Sequence, residues 1–176
     1  MIKNENILGI NHLGITVPNI NEATDFFKAA FGAKIAYDGL SYDDEPRTGK
    51  TTTHQLGISE TTKIIKQRML VIGEQGPGLE LFEMQADNQT NPVGLQDLGI
   101  NHISLFVSDI EKALAKAVAA GGKPLSEIHG NSRYEDTEGS SSVYVTAPWG
   151  SLIELQSIPN GYYYPEYSES KVWTPE

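Results

Sequence analysis

Two tetrapeptides in this chain are identical. Gly9-Ile10-Asn11-His12 returns as Gly99-Ile100-Asn101-His102, an offset of 90 residues. Each histidine opens an apolar run, Leu13-Gly14-Ile15-Thr16-Val17 in one copy and Ile103-Ser104-Leu105-Phe106-Val107 in the other. Further on, Glu80 stands between Leu79 and Leu81, and Glu154 between Ile153 and Leu155. An imidazole and a carboxylate therefore recur at equivalent places in two copies. A single strand histidine is more often structural, and a single strand glutamate usually faces solvent. It is the repetition that singles these four out. A buried carboxylate requires a partner. One divalent cation would serve His12, Glu80, His102 and Glu154 together, with positions left for water or substrate. Such a nitrogen and oxygen donor set suits Zn, Ni, Co, Mn or Fe(II).

The elements that must carry these residues can be read from the same repeat. Side chains alternate along a strand. His12 and His102 thus share a face with Gly14, Thr16 and Ser104, while Leu13, Ile15, Val17, Ile103, Leu105 and Val107 face the core. Runs at about 8–17 and 99–108 predict the first strand of each copy. Asn19 or Asn21 before Glu22, and Ser108 or Asp109 before Glu111, signal helix starts. Ala23, Phe26, Phe27, Ala30 and Phe31 form one apolar helical face. Ala113, Leu114, Ala117, Val118 and Ala120 form another. Gly32 and Gly121-Gly122 end the helices. Paired strands follow, Ile64–Ile72 with Leu79–Met84 and Val143–Thr146 with Leu152–Ser157. Each copy reads as βαβββ. The first module spans 1–88, with a polar, Gly/Thr-rich insertion loop at 39–62. A linker covers 89–98, the second module 99–158, and an aromatic tail 159–176. The tail's Tyr162, Tyr163, Tyr164, Tyr167 and Trp173 imply that it packs on something.

Composition narrows the function. The 176 residues are 39% apolar and 20% charged, as in ordinary globular proteins. Asp and Glu outnumber Lys and Arg by 23 to 13, and no basic run offsets this locally. Nucleic acid and anionic membranes are therefore poor partners. There is no cysteine, which excludes disulfides, thiolate ligands and cysteine nucleophiles. No signal peptide or membrane span is legible, so a cytoplasmic location is expected.

At these residues the sequence resembles the vicinal oxygen chelate superfamily, whose members include glyoxalase I, methylmalonyl-CoA epimerase, extradiol dioxygenases and the fosfomycin and bleomycin resistance proteins. Asn11-His12-Leu-Gly-Ile-Thr-Val, Gly78-Leu-Glu80-Leu-Phe-Glu, Asn101-His102-Ile-Ser-Leu-Phe-Val and Ala147-Pro-Trp-Gly-Ser-Leu-Ile-Glu154-Leu carry the resemblance, which covers about 8–158. It implies an α+β fold of two tandem βαβββ modules, curled as mixed-sheet half-barrels around a central metal cavity. It implies His12, Glu80, His102 and Glu154 as metal ligands, and a small-molecule substrate with adjacent oxygens. In the isomerases and epimerases of the family a second-module glutamate moves a proton α to a carbonyl, a role that would fall on Glu154. Tyr144, ten residues earlier, matches a functional tyrosine of the dioxygenases; it reads first as cavity-lining, and second as a proton donor. Glu80 favours an isomerase, lyase or epimerase over an Fe(II) dioxygenase, which needs only His12, His102 and Glu154. A non-catalytic drug-binding protein is the remaining alternative. Family members often dimerise, and the aromatic tail could serve a homodimer. Arg68, Arg133 and Lys123 could hold an anionic substrate group or be ordinary surface charge. His54 and His129 read as exposed.

Overall fold

The computed structural model describes residues 9–175. The expected strand start at residue 8 lies outside them. The chain separates into two compact units. One comprises the residues up to Lys28 together with Gly32–Gln89; the other comprises Ala29–Phe31 and the chain from Thr90 onward.

The first unit runs β1 (His12–Val17), α1 (Ile20–Phe31), β2 (Lys34–Leu40), α2 (Lys50–Leu56), β3 (Lys63–Val71) and β4 (Gly78–Gln85). Its sheet has the order β1-β4-β3-β2. β1 pairs parallel with β4, and the other pairings are antiparallel. The second runs β5 (His102–Phe106), α3 (Ile110–Ala119), β6 (Lys123–Pro124), β7 (Ser141–Thr146) and β8 (Leu152–Ser157). Its sheet order, β5-β8-β7-β6, is the same, again with a parallel first-to-last pairing. The α+β class with two tandem βαβββ modules is therefore what the chain adopts.

Local chemistry explains these elements. Asn19 is the N-cap of α1: its side chain accepts from the Asn21 and Glu22 amides at 3.0 Å each. That satisfies two of the helix's otherwise orphaned donors. Ala23, Phe26, Phe27 and Ala30 are at most 4% exposed. Burying each phenylalanine contributes roughly 1.5–3 kcal/mol. Gly32, in the left-handed region at φ 67°, ends the helix with its N–H on the Lys28 carbonyl. In α3, Asp109 is the cap, accepting from the Lys112 amide at 3.0 Å.

Two expectations need correction. The face expected for α3 is narrower than read: Ala117 is buried, whereas Val118 is 46% exposed. A helix lying on one side of β6, β7 and β8 buries only a stripe. The insertion is not all loop either. It contains α2, stopped by Gly57 at φ 66°, and Arg47 makes both backbone bonds of an antiparallel bridge with Ile64. Its three consecutive β-branched threonines mask that helix in the sequence.

Candidate functional site

In the first module, the parallel β1/β4 register sets Gly14 beside Glu80 and His12 beside Gly78. Imidazole and carboxylate then share one face of the sheet, and His12 Nε2 lies 3.2 Å from Glu80 Oε2. Gly78 suits this close pairing. A β-carbon there would lie 2.8 Å from Met69 Sδ and 3.3 Å from the Leu70 carbonyl oxygen, so a side chain would displace the Met69 thioether and crowd β3. Behind the ring, His12 Nδ1 is 2.7 Å from Asn11 Oδ1. Gln67 on β3 donates through Nε2 to Glu80 Oε1. Arg47 in turn donates to Gln67 Oε1 at 3.1 Å and to the Gly39 carbonyl at 2.8 Å.

The second module repeats the device. Ser104 sits beside Glu154 across β5/β8. His102 Nε2 lies 3.7 Å from Glu154 Oε2, and His102 Nδ1 is 2.6 Å from Asn101 Oδ1. Here β7 places Tyr144 directly opposite Glu154. Its ring meets His102 edge-on, centroids 5.5 Å apart. Burial, then the Glu154 charge and a hydrogen bond to it, hold the Tyr144 phenol above its ordinary range. Tyr144 therefore stays protonated at neutral pH and acts as a donor.

The pairs have a common electronic consequence. Asn11 Oδ1 and Asn101 Oδ1 can only accept, so each Nδ1 carries the ring hydrogen and each Nε2 lone pair is turned toward a carboxylate oxygen. Two electron-rich atoms at these separations call for something positive between them, a proton or a metal ion. An outer acceptor fixing the tautomer is what metal-bound histidines use. The glutamate side chains are 17% and 14% exposed, enough to meet a ligand yet sheltered from bulk screening. The four sequence candidates are thus brought together as two pairs, each within its own module. Among the described residues no group of three or more His, Asp or Glu gathers into a cluster able to hold an ion. Each pair presents one imidazole nitrogen and one carboxylate oxygen, donors of the kind a divalent cation takes.

Other candidates have different duties. Arg68 is 8% exposed and fully committed: it clasps Asp38 through Nε at 2.6 Å and Nη2 at 3.0 Å, and donates to Thr24 Oγ1 at 3.0 Å. It is an internal brace and does not receive an anionic substrate. Lys66, 6% exposed, adds a contact to Asp38 at 3.6 Å and lies over the Tyr42 ring. Glu83 caps α1, accepting from the Ile20 amide at 2.8 Å and from Tyr42 Oη at 2.7 Å. Burial and this bond push Tyr42 up to about 12. His54 in α2 and His129 are exposed, as expected. Arg133 lies in a 3₁₀ turn (Arg133–Glu135) and Lys123 on β6, both exposed. Gln67 and Arg47 escaped the sequence reading. The signal was Gln67's shared face with Met69, hidden by the polar run Lys66-Gln67-Arg68.

Comparison with known proteins agrees with this architecture. Residues 9–155 match the model of the Glyoxalase/Bleomycin resistance protein/Dioxygenase superfamily, and the chain belongs to that superfamily. It is 27% identical over 170 residues to a 2-epi-5-epi-valiolone epimerase of an Actinomyces species, covering 96% of this chain and 90% of that protein. It is 31% identical over 133 residues to the mitochondrial methylmalonyl-CoA epimerase of Dictyostelium discoideum, covering 68% of this chain and 69% of the relative. Among solved structures, a glyoxalase family protein from Bacillus cereus superposes with a TM-score of 0.68 at 18% identity, over 89% of this chain and 97% of the other. These relatives mark the chain as an enzyme with an epimerase or isomerase type of activity.

Proposed function

We propose that the chain is a divalent-metal-dependent epimerase that moves a proton on the carbon α to a carbonyl of a small molecule, with Glu154 as the base. The observation that carries this is the twofold His–Glu pair, each Nε2 turned to a carboxylate and each Nδ1 anchored by asparagine. The superfamily is typically divalent-metal dependent, and His12, Glu80, His102 and Glu154 would hold the ion. When bound, it supplies Lewis-acid polarisation of the substrate carbonyl, which acidifies the neighbouring C–H.

The chain's own groups do the rest. Glu154 accepts the proton from carbon α and passes it to solvent, and a water on the opposite face returns one, so the centre inverts without redox change. Tyr144, kept neutral, donates to Glu154 and orients it. Glu80 has its second oxygen held by Gln67, which commits it to binding. Asn11 and Asn101 keep both imidazoles in the tautomer that presents Nε2.

Metal analysis of the purified protein, before and after chelation and reconstitution, tests the first half. The second is tested by solvent-deuterium incorporation at carbon α, followed by NMR in 2-methyl acyl thioesters and cyclic ketones. Metal uptake with exchange that Glu154→Gln abolishes is the expected result. A protein that takes up no divalent cation, or that exchanges equally well as Glu154→Gln, overturns the reading.

A further inference from the structure

The C-terminal segment has no regular secondary structure beyond Ser157, yet it is firmly tied to its own module. Thr137 Oγ1 donates to the Gly161 carbonyl at 2.9 Å, Asn160 Nδ2 to the Glu138 carbonyl at 2.7 Å, and the Tyr163 amide to the Tyr134 carbonyl at 2.8 Å. These bonds clamp the tail to the connection between β6 and β7. They set Tyr162 on the sheet face that carries Glu154. Tyr162 Oη donates to Gln156 Oε1 at 3.3 Å, and Gln156 Nε2 donates to Glu135 Oε2 at 3.3 Å. Gln156 is two residues beyond Glu154, hence on the same face.

Phe106 also shares that face, by alternation with His102 and Ser104. Its ring meets Tyr162 edge-on at 6.4 Å and Trp173 at 6.0 Å. Trp173 remains 49% exposed. Burial, then the Glu135 charge and the neighbouring Tyr164 and Glu154, push Tyr162 up to about 12, so it is a neutral hydroxyl at any physiological pH. The result is an aromatic wall with an amide and a carboxylate at its foot, beside the base proposed above. The side chains that β5, β7 and β8 place on this face include no lysine or arginine. The tail's Lys171 is drawn over the Tyr164 ring, 5.8 Å from its centroid.

We propose that Phe106, Tyr162 and Trp173 form a specificity-determining subsite for a neutral, polyhydroxylated cyclic ketone. This rests on the epimerase reading for the position of the reacting carbon. Aromatic faces cover the C–H side of a saturated ring. The buried Gln156 holds Tyr162 Oη and Glu135 in place, and the open lone pairs of that hydroxyl and carboxylate accept from ring hydroxyls, which a site built for them rewards strongly. No lysine or arginine of β5, β7 or β8 offers a phosphate a partner and Glu135 opposes one, so a coenzyme A thioester is disfavoured.

The tail reports its own occupancy. In Trp149→Phe protein, Trp173 is the sole tryptophan, and its emission is titrated with 2-keto-myo-inositol and with propionyl-CoA. The expected result is a saturable change with the ketone alone, weakened about tenfold by Phe106→Ala or Tyr162→Ala. Should an alanine variant fail the far-UV circular dichroism check, Tyr162→Phe keeps the ring and weakens binding several-fold. Equal response to propionyl-CoA, no response to the ketone, or a titration unmoved by the variants each overturns the subsite. α-Deuterium exchange is measured on both compounds in parallel. Exchange confined to a thioester removes the subsite and leaves the epimerase. Ketone binding without exchange into either compound removes the epimerase and leaves the subsite.

Discussion

The two modules hold the same pair of ligand atoms in different company. On the first, Glu80 is tied by an amide, Gln67, which is itself tied by Arg47. On the second, Glu154 faces a phenol, Tyr144, across the strand pair. Amide and phenol each donate one hydrogen bond to their carboxylate and leave its other oxygen toward the imidazole. The difference lies in the holder: the amide is pinned from behind by Arg47, whereas a phenol can turn its O–H and can ionise. Symmetric scaffolding with asymmetric partners is how two chemically identical side chains acquire distinct duties.

That contrast can be broken experimentally, most severely at the carboxylates. Glu154→Gln should lower turnover by about a thousandfold, whereas Glu80→Gln should chiefly raise the metal concentration needed for half-activity. Equal loss of kcat in both, at saturating metal, would erase the distinction. The next largest effect concerns stability. The first module carries the Arg68–Asp38 brace, its guanidinium sheltered and its carboxylate reaching solvent, with Lys66 alongside. Asp38→Asn leaves two sheltered cations without their counter-charge and should cost about 1–2 kcal/mol in urea unfolding. The sign of the pH dependence follows from the same contact. The Arg68 hydrogen bond holds Asp38 below its ordinary value of 3.8, against a smaller opposing effect of burial. Its stabilisation is complete above that value and is lost as pH falls below it. Wild type should lose stability there, and Asp38→Asn should not show that component.

Gln67→Leu should weaken metal binding by about 10- to 100-fold, because an outer partner of a ligand is removed; isothermal titration reads this directly. Tyr144→Phe should lower kcat by about tenfold with metal affinity nearly unchanged. Any alkaline limb due to this phenol should disappear with it, above the ordinary tyrosine value of 10.0. The smallest effect is local: Asn19→Ala should cost about 1 kcal/mol through the lost cap of α1, with activity per folded molecule intact.

What was legible in the sequence was whatever depends on near neighbours. The caps Asn19 and Asp109, the stop at Gly32, and the alternation that turns His12 and Glu80 away from the core all follow from short-range rules. The duplication then lent each copy's pattern to the other. What could not be read were bonds between distant segments. Gln67 looks like a solvent-facing polar residue because Lys66 and Arg68 flank it, and both are buried beneath the sheet's other face. Their partner Asp38 is nearly 30 residues away. The tail advertised aromatic packing without saying onto which face, since an irregular segment has no periodicity to read.

Met69 stands opposite Glu80 just as Tyr144 stands opposite Glu154. The two rungs are interchangeable in backbone terms, so the substitution pair Met69→Tyr and Tyr144→Met would transplant the phenol from one half of the molecule to the other. The duplicated chain thereby contains its own control experiment, in which the identity of the working half becomes a matter of two side chains.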